Sequence, residues 1–186
     1  MGRLIYFMIT SLDGFVADRE GRFDWGEPDE EVLAAINEET APVGTYLYGR
    51  KIYELMQVWE TDPTIAAGSP GSVDFARIWQ RAEKVVFSTT LTETVTDRTR
   101  LLREFDPAVV RALKEQSAAD LTIEGPTLAA QALRHGLVDE IGTIVCPLTV
   151  GSGLCFLPDM RLSLELTGQR SFDSGMVQLR YNVAGS

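Results

Sequence analysis

Four short stretches carry residues able to hold a ligand, and each lies where a strand pattern gives way to glycine or to a helix. The first is Tyr48-Gly49-Arg50-Lys51. A helix N-terminus presents unsatisfied N–H groups, Gly49 lets backbone approach closely, and Arg50 and Lys51 add positive charge, a combination suited to phosphate. The same run also describes a tight turn with a solvated basic pair. The second is Glu124-Gly125-Pro126-Thr127, where Pro126 suits the first helical position and Gly125 admits a pyrophosphate. It lacks the full G-x-G-x-x-G spacing, and an ordinary strand-to-helix connection fits it as well. The third is Pro147 to Gly153, in which Val150, Gly151 and Gly153 can form a backbone nest or a plain flexible turn. The fourth is Ser11-Leu12-Asp13-Gly14, whose carboxylate can bind a donor-rich ring or cap its own turn.

The elements that must position these turns follow from hydrophobic pattern. The continuous apolar run 4–9 reads as a strand buried on both faces. Residues 18–26 read as an ordered loop, and Pro28 opens a helix with Asp29, Glu30 and Glu31 in its first turn and Val32, Leu33 and Ile36 on one face. A strand at 45–48 and a helix at 49–59 follow. Residues 61–72, with Pro63, Gly68, Pro70 and Gly71, read as a flexible loop and candidate lid. Further expectations are a helix at 73–81, a strand at 84–88, a short strand at 93–96, a helix at 107–116 and a strand at 120–123. A helix from Pro126 ends near His135-Gly136, where Gly136 suits a helix end. A longer strand covers 138–146, and the alternating segments 163–171 and 176–183 form an antiparallel hairpin around Asp173-Ser174-Gly175. The expected fold is therefore α/β in one domain spanning 1–186: a mixed, mostly parallel central sheet flanked by helices, with a C-terminal antiparallel hairpin.

Composition narrows the function. Seventeen basic against twenty-seven acidic residues give a net charge of −10, a surface that repels nucleic acid. One histidine, His135, and two cysteines, Cys146 and Cys155, argue against a metal site; a bond between the cysteines stays open. The N-terminal apolar run is too short to span a membrane and lacks a cleavage site, and Tyr6 breaks the myristoylation pattern, so the expected address is the cytoplasm. No Ser-His-Asp triad, Walker A loop or deaminase zinc pattern is present.

Taken in order, the motifs resemble the dihydrofolate-reductase-like superfamily, and within it the reductase half of the bacterial riboflavin-biosynthesis deaminase-reductases. Ser11-Leu12-Asp13-Gly14 with Asp24-Trp25 resembles the opening strand and substrate loop, and residues 48–54 the phosphate turn. Lys84 to Leu91 resembles the strand and Ser/Thr turn at the adenosine 2′-phosphate. Gly125-Pro126-Thr127-Leu128 and Pro147 to Gly153 resemble the nicotinamide-diphosphate loop and a Pro-x-x-x-Gly-x-Gly loop. The deaminase half is missing.

The resemblance implies hydride transfer from NADPH to a small heterocycle of pteridine or pyrimidine type. It implies cofactor contacts at Gly49, Arg50, Lys51, Ser88, Thr89, Gly125, Pro126, Thr127, Val150, Gly151 and Gly153. It places substrate against Asp13, Trp25, Met56 and Trp59, with Asp13 the anchoring and candidate catalytic group. A homodimer is also implied, through the sheet region and the loop around Gly151 to Phe156; the apolar Leu154, Cys155, Phe156 and Leu157 fit a patch buried there and an intramolecular core equally well. Two residues depart from the pattern: Ile52 replaces a Thr, and Glu124 stands where a Gly often precedes the Gly-Pro pair. They motivate a second reading, a non-catalytic ligand-binding regulatory homodimer on the same scaffold.

Overall fold

The computed structural model describes residues 1–185. In chain order it contains β1 (Leu4–Ser11), β2 (Phe15–Asp18), a turn of 3-10 helix (Asp24–Gly26), α1 (Glu30–Thr40), β3 (Val43–Gly49), α2 (Arg50–Met56) and α3 (Val58–Thr61). Then come α4 (Pro63–Ala66), α5 (Pro70–Arg81), β4 (Glu83–Phe87), β5 (Thr99–Leu102), α6 (Pro107–Gln116), β6 (Asp120–Glu124) and α7 (Pro126–Arg134). The chain closes with β7 (Glu140–Cys146), β8 (Gly153–Cys155), β9 (Leu164–Ser171) and β10 (Val177–Val183).

Eight strands form one sheet in the order β5-β4-β3-β6-β1-β7-β10-β9. The first six run parallel; β10 pairs antiparallel with both β7 and β9. The mostly parallel sheet and closing hairpin are as expected. β1 lies between β6 and β7, which is why its apolar residues run consecutively instead of alternating.

Each sheet face carries its own core. On one, Leu4, Tyr6, Leu47, Leu121 and Ile123 pack under α6 and α7 through Val110, Leu128, Ala129 and Ala132. On the other, Tyr46, Tyr48, Val86 and Ile144 meet α1 through Val32 and Ile36, and α5 through Phe75 and Trp79. Trp79 is fully buried and its indole N–H donates to the Tyr48 hydroxyl at 3.0 Å, so the polar tips of both large side chains are satisfied inside the apolar layer.

Several boundaries differ from expectation, each for a local reason. The first helix starts at Glu30, because Asp29 acts as its cap and accepts from the Val32 amide at 2.8 Å. Helix 49–59 breaks at Gln57 into α2 and α3. Residues 61–72 are largely helical rather than a flexible loop. Asp62 caps α4 ahead of Pro63, and Ser69 caps α5 ahead of Pro70; in both, proline takes the first helical turn. The strand expected at 93–96 is absent. The Val95 amide donates to the Tyr53 hydroxyl and the Asp97 amide to Glu60, so that segment is tied to helices and the ladder forms at Thr99–Leu102. Cys146 is buried, Cys155 is exposed, and both are free.

The pairing of β2 with β8 in a separate antiparallel sheet was not anticipated. Gly153 makes it possible: a Cβ there would lie 2.0 Å from the Ala17 carbonyl oxygen. Gly153→Ala should therefore destabilise the chain by about 1–3 kcal/mol, as overpacking generally does, measured as a lowered urea midpoint.

Candidate active site at the C-terminal edge of the sheet

The parallel register sets the turns in a row. Tyr48 stands opposite Glu124, Gly49 opposite Phe87, and Ser11 opposite Cys146. The turns that follow these strand ends therefore lie along one edge, where open α/β sheets take ligands. Helix capping singles out two of them. Among the longer helices, α1, α5 and α6 satisfy their first amides with Asp29, Ser69 and Asp106, whereas α2 and α7 begin at Gly49 and Gly125 with no side-chain cap. These two uncapped starts follow adjacent strands, β3 and β6. Their first N–H groups are left for an outside acceptor.

Gly125 has φ +92° and ψ 121°, a conformation suited to glycine, and a Cβ on it would lie 2.9 Å from Cγ1 of Ile52. Ile52 thus covers the Gly125 turn with hydrocarbon where a hydroxyl was expected. Arg50 is engaged one turn along its own helix, donating to Glu54 at 3.1 and 3.2 Å, and Lys51 is exposed. Pro126 is buried and Thr127 exposed at the start of α7.

Glu124 ends β6 on the same sheet face as Tyr48, and its side chain makes no hydrogen bond or ion pair with other described residues. Desolvation alone raises its carboxyl to about 8 from an ordinary 4.5. It is therefore predominantly protonated at neutral pH, and the repulsion a carboxylate would exert on a neighbouring diphosphate is removed. Among the expected site residues, Asp13 behaves oppositely. Its carboxylate accepts from the Ser11 hydroxyl at 2.6 Å, the Val150 amide at 3.2 Å and the Gly151 amide at 2.7 Å. The Ser11 hydrogen bond above all, with help from the two amides, lowers its pKa and keeps it ionised.

On the Tyr48 face, Trp25, Met56 and Trp59 are half-buried against the core. The turn carrying Trp25 rests on β1: a Cβ on Gly26 would lie 3.4 Å from the Ile9 side chain. The Trp25 indole N–H is buried without a partner. Trp59 packs on Phe75 with ring centroids 4.7 Å apart.

At the far end of the edge, the Ser88 hydroxyl accepts from the Thr90 and Leu91 amides and shapes the turn that exposes Thr89. Two basic residues close in sequence or space to this turn behave differently. Lys84 lies near the opposite end of β4, fully buried, its ammonium 4.2 Å from the Trp79 ring centroid and 3.7 Å from Glu60; it does not reach the Ser88 turn. Arg103 does, through donation to the Ser88 and Leu91 carbonyls at 3.4 and 2.5 Å. The signal for Arg103 was its place directly after β5, but the misplaced strand at 93–96 hid it. Neither a groove of about 720 Å³ between α1 and α5 nor one of about 510 Å³ beside Lys84 and Arg98 is lined by the residues of this edge.

Residues 3–178 match the family model described as the RibD C-terminal domain. The chain belongs to that family. A Bacillus subtilis relative, the uncharacterized protein YyaP, is 27% identical over 98% of this chain and 96% of its own length. A Shewanella sp. PV-4 protein, described as a candidate riboflavin biosynthesis protein, superposes with a TM-score of 0.72 at 22% identity, covering 97% of this chain and 98% of that one. Dihydrofolate reductase from Enterococcus faecalis, complexed with NADP(H), superposes at 0.66 with 14% identity, covering 98% and 97%. The chain thus has a dihydrofolate-reductase-like fold. Among the described residues no helix is long and apolar enough to cross a membrane, and none of their His, Cys, Asp and Glu side chains cluster as a metal site.

The Glu124 carboxyl should make stability depend on pH with a definite sign. Its raised folded-state pKa means that its neutral form stabilises the fold fully below about 4.5, and that this contribution is lost as pH rises towards about 8 and beyond. Glu124→Gln should flatten that decline, seen in urea midpoints measured from pH 5 to pH 9.

Proposed function

We propose that this RibD C-terminal domain protein is an NADPH-dependent reductase acting on a small, flat heterocycle of pteridine or pyrimidine type. The observation that carries this reading is the pair of uncapped helix starts at Gly49 and Gly125, side by side on one edge of a reductase-type sheet. Their amides suit a diphosphate, with Arg50 and Lys51 adding charge and Pro126 and Thr127 shaping the second turn. Ser88, Thr89 and Arg103 form a donor-rich corner suited to an adenosine 2′-phosphate. The Val150 and Gly151 amides, with Gly153 beyond them, join this arrangement only by parting from Asp13. A bound reduced nicotinamide would supply the hydride.

The chain's own residues do the remainder. Trp25, Met56 and Trp59 offer apolar surface against which a flat ring can lie and from which water is displaced. An ionised carboxylate has about four acceptor positions, and Asp13 uses three, leaving one for a ring amino group. Glu124 keeps a proton on its carboxyl beside the Gly125 turn, so it does not repel a diphosphate held there.

Titration with NADPH followed by fluorescence or calorimetry tests the reading: saturable binding supports it, and none at millimolar concentration defeats it. Arg103→Ala should weaken NADPH about ten- to a hundredfold while leaving NADH little changed, because it removes a charged donor from the 2′-phosphate corner.

The same protein is proposed to be a homodimer. Phe156 does not serve that contact, since it stacks on Tyr6 at 4.6 Å in the core, and Leu157 is half-buried there. Leu154, Met160, Leu164 and Leu166 are instead exposed, the last two on β9, an edge strand open along most of its length. Exposed apolar residues on an unpaired edge favour pairing with a second chain. Sedimentation should give twice the 20.5 kDa of one chain, and Leu166→Asp should shift it towards that single mass.

A further inference from the structure

The Asp13 carboxylate occupies two backbone amides of the glycine loop that follows β7. Val150 and Gly151 present consecutive amides, with Gly151 at φ +77°, and successive backbone N–H groups of this kind make anion-binding concavities. Both amides donate to Asp13, one to each oxygen. Ser11 fixes the carboxylate from below. Its side chain is almost wholly buried (1% exposed residue), its hydroxyl donates to Oδ1 of Asp13 at 2.6 Å, and it accepts from the Phe15 amide at 3.0 Å. The β1 and β7 turns are further joined by the Leu12 amide on the Leu148 carbonyl at 2.8 Å. Outside the turn there is room, since a Cβ on Gly151 would meet nothing within 4 Å.

We propose that Asp13 is a specificity-determining gate: while its carboxylate rests on the Val150 and Gly151 amides the glycine loop excludes phosphate, and the loop accepts an anionic ligand group only after Asp13 turns away. The rest of the edge is polarised to match. Arg50, Lys51 and Arg103 follow β3 and β5, so anionic groups are drawn to that end, while the β1–β7 end presents a fixed negative charge. A ligand is thereby oriented before any close contact forms. The gate rests on the nucleotide reading only for the identity of its natural ligand; the loop itself is probed with inorganic pyrophosphate.

The experiment compares wild type, Asp13→Asn and Asp13→Ser as the full chain labelled with ¹⁵N, titrated with pyrophosphate and separately with NADP⁺. Freed amides should bind pyrophosphate at least about tenfold more tightly in both variants, with shifts centred on Val150 and Gly151, because a charge-assisted competitor has been removed. Damage to the loop alone would weaken binding, so a gain distinguishes a gate from a strut. Pyrophosphate affinity that is unchanged or lower in the variants, or equal shifts at these amides in wild type, overturns the proposal. If the variants gain pyrophosphate while NADP⁺ binds none of the three proteins, the gate stands and the nucleotide reading falls. If NADP⁺ binds all three alike and pyrophosphate shows no gain, the gate falls and the nucleotide reading stands.

Discussion

The amides at a helix start must find an acceptor, and this fold meets that demand in two ways. α1, α4, α5 and α6 meet it internally, with Asp29, Asp62, Ser69 and Asp106 folded back onto their own first turns. α2 and α7 do not, and they start beside one another because β3 and β6 are parallel neighbours in the sheet. Parallel pairing forces every crossover helix to begin at the same edge. The concentration of open donors at one place is therefore a consequence of topology, and the ligand chemistry of the edge follows from it.

The opposite edge is closed by ion pairs. Arg3 joins Asp120 at 2.6 Å and Glu140 at 3.0 Å, and Arg180 reaches Glu140 from β10 at 3.0 Å. Glu140 is only 2% exposed, yet two guanidiniums compensate its charge. Glu124 lies at the other end of the sheet with no such partner, and its charge is instead removed by protonation. Glu124, half-buried at the end of β6, and Glu140, buried at the start of β7 on the far side of β1, thus resolve the same desolvation problem differently. The paired one ties β7 to β10 through Arg180 and to the start of β1 through Arg3, which also holds Asp120 of β6.

In a chain of net charge −10, the local balance at the site matters more than the total. The negative charge nearest the glycine loop is that of Asp13, already engaged by a hydroxyl and two amides. Arg50 is likewise tempered by Glu54, whereas Arg103 is oriented by backbone carbonyls and keeps its full charge. The edge is consequently positive towards β5 and negative towards β1, which suits a ligand with unlike ends.

Much of this was legible in the order of residues. Consecutive apolar residues marked the buried central strand, alternation marked the hairpin, and a glycine or Gly-Pro before a helix marked the two open helix starts, because these features report backbone geometry that neighbours along the chain decide. Asp62-Pro63 and Ser69-Pro70 were cap signals of the same local kind, obscured by the glycines around them. What the order of residues could not carry were relations between distant segments. The β2–β8 pairing depends on Gly153 meeting Ala17, the Asp13 clamp spans 138 positions from β1 to β7, and Arg103 reaches Ser88 only because β5 lies beside β4. The charge state of Glu124 is of this kind too, since desolvation is a property of everything packed around a carboxyl and not of its neighbours in the chain.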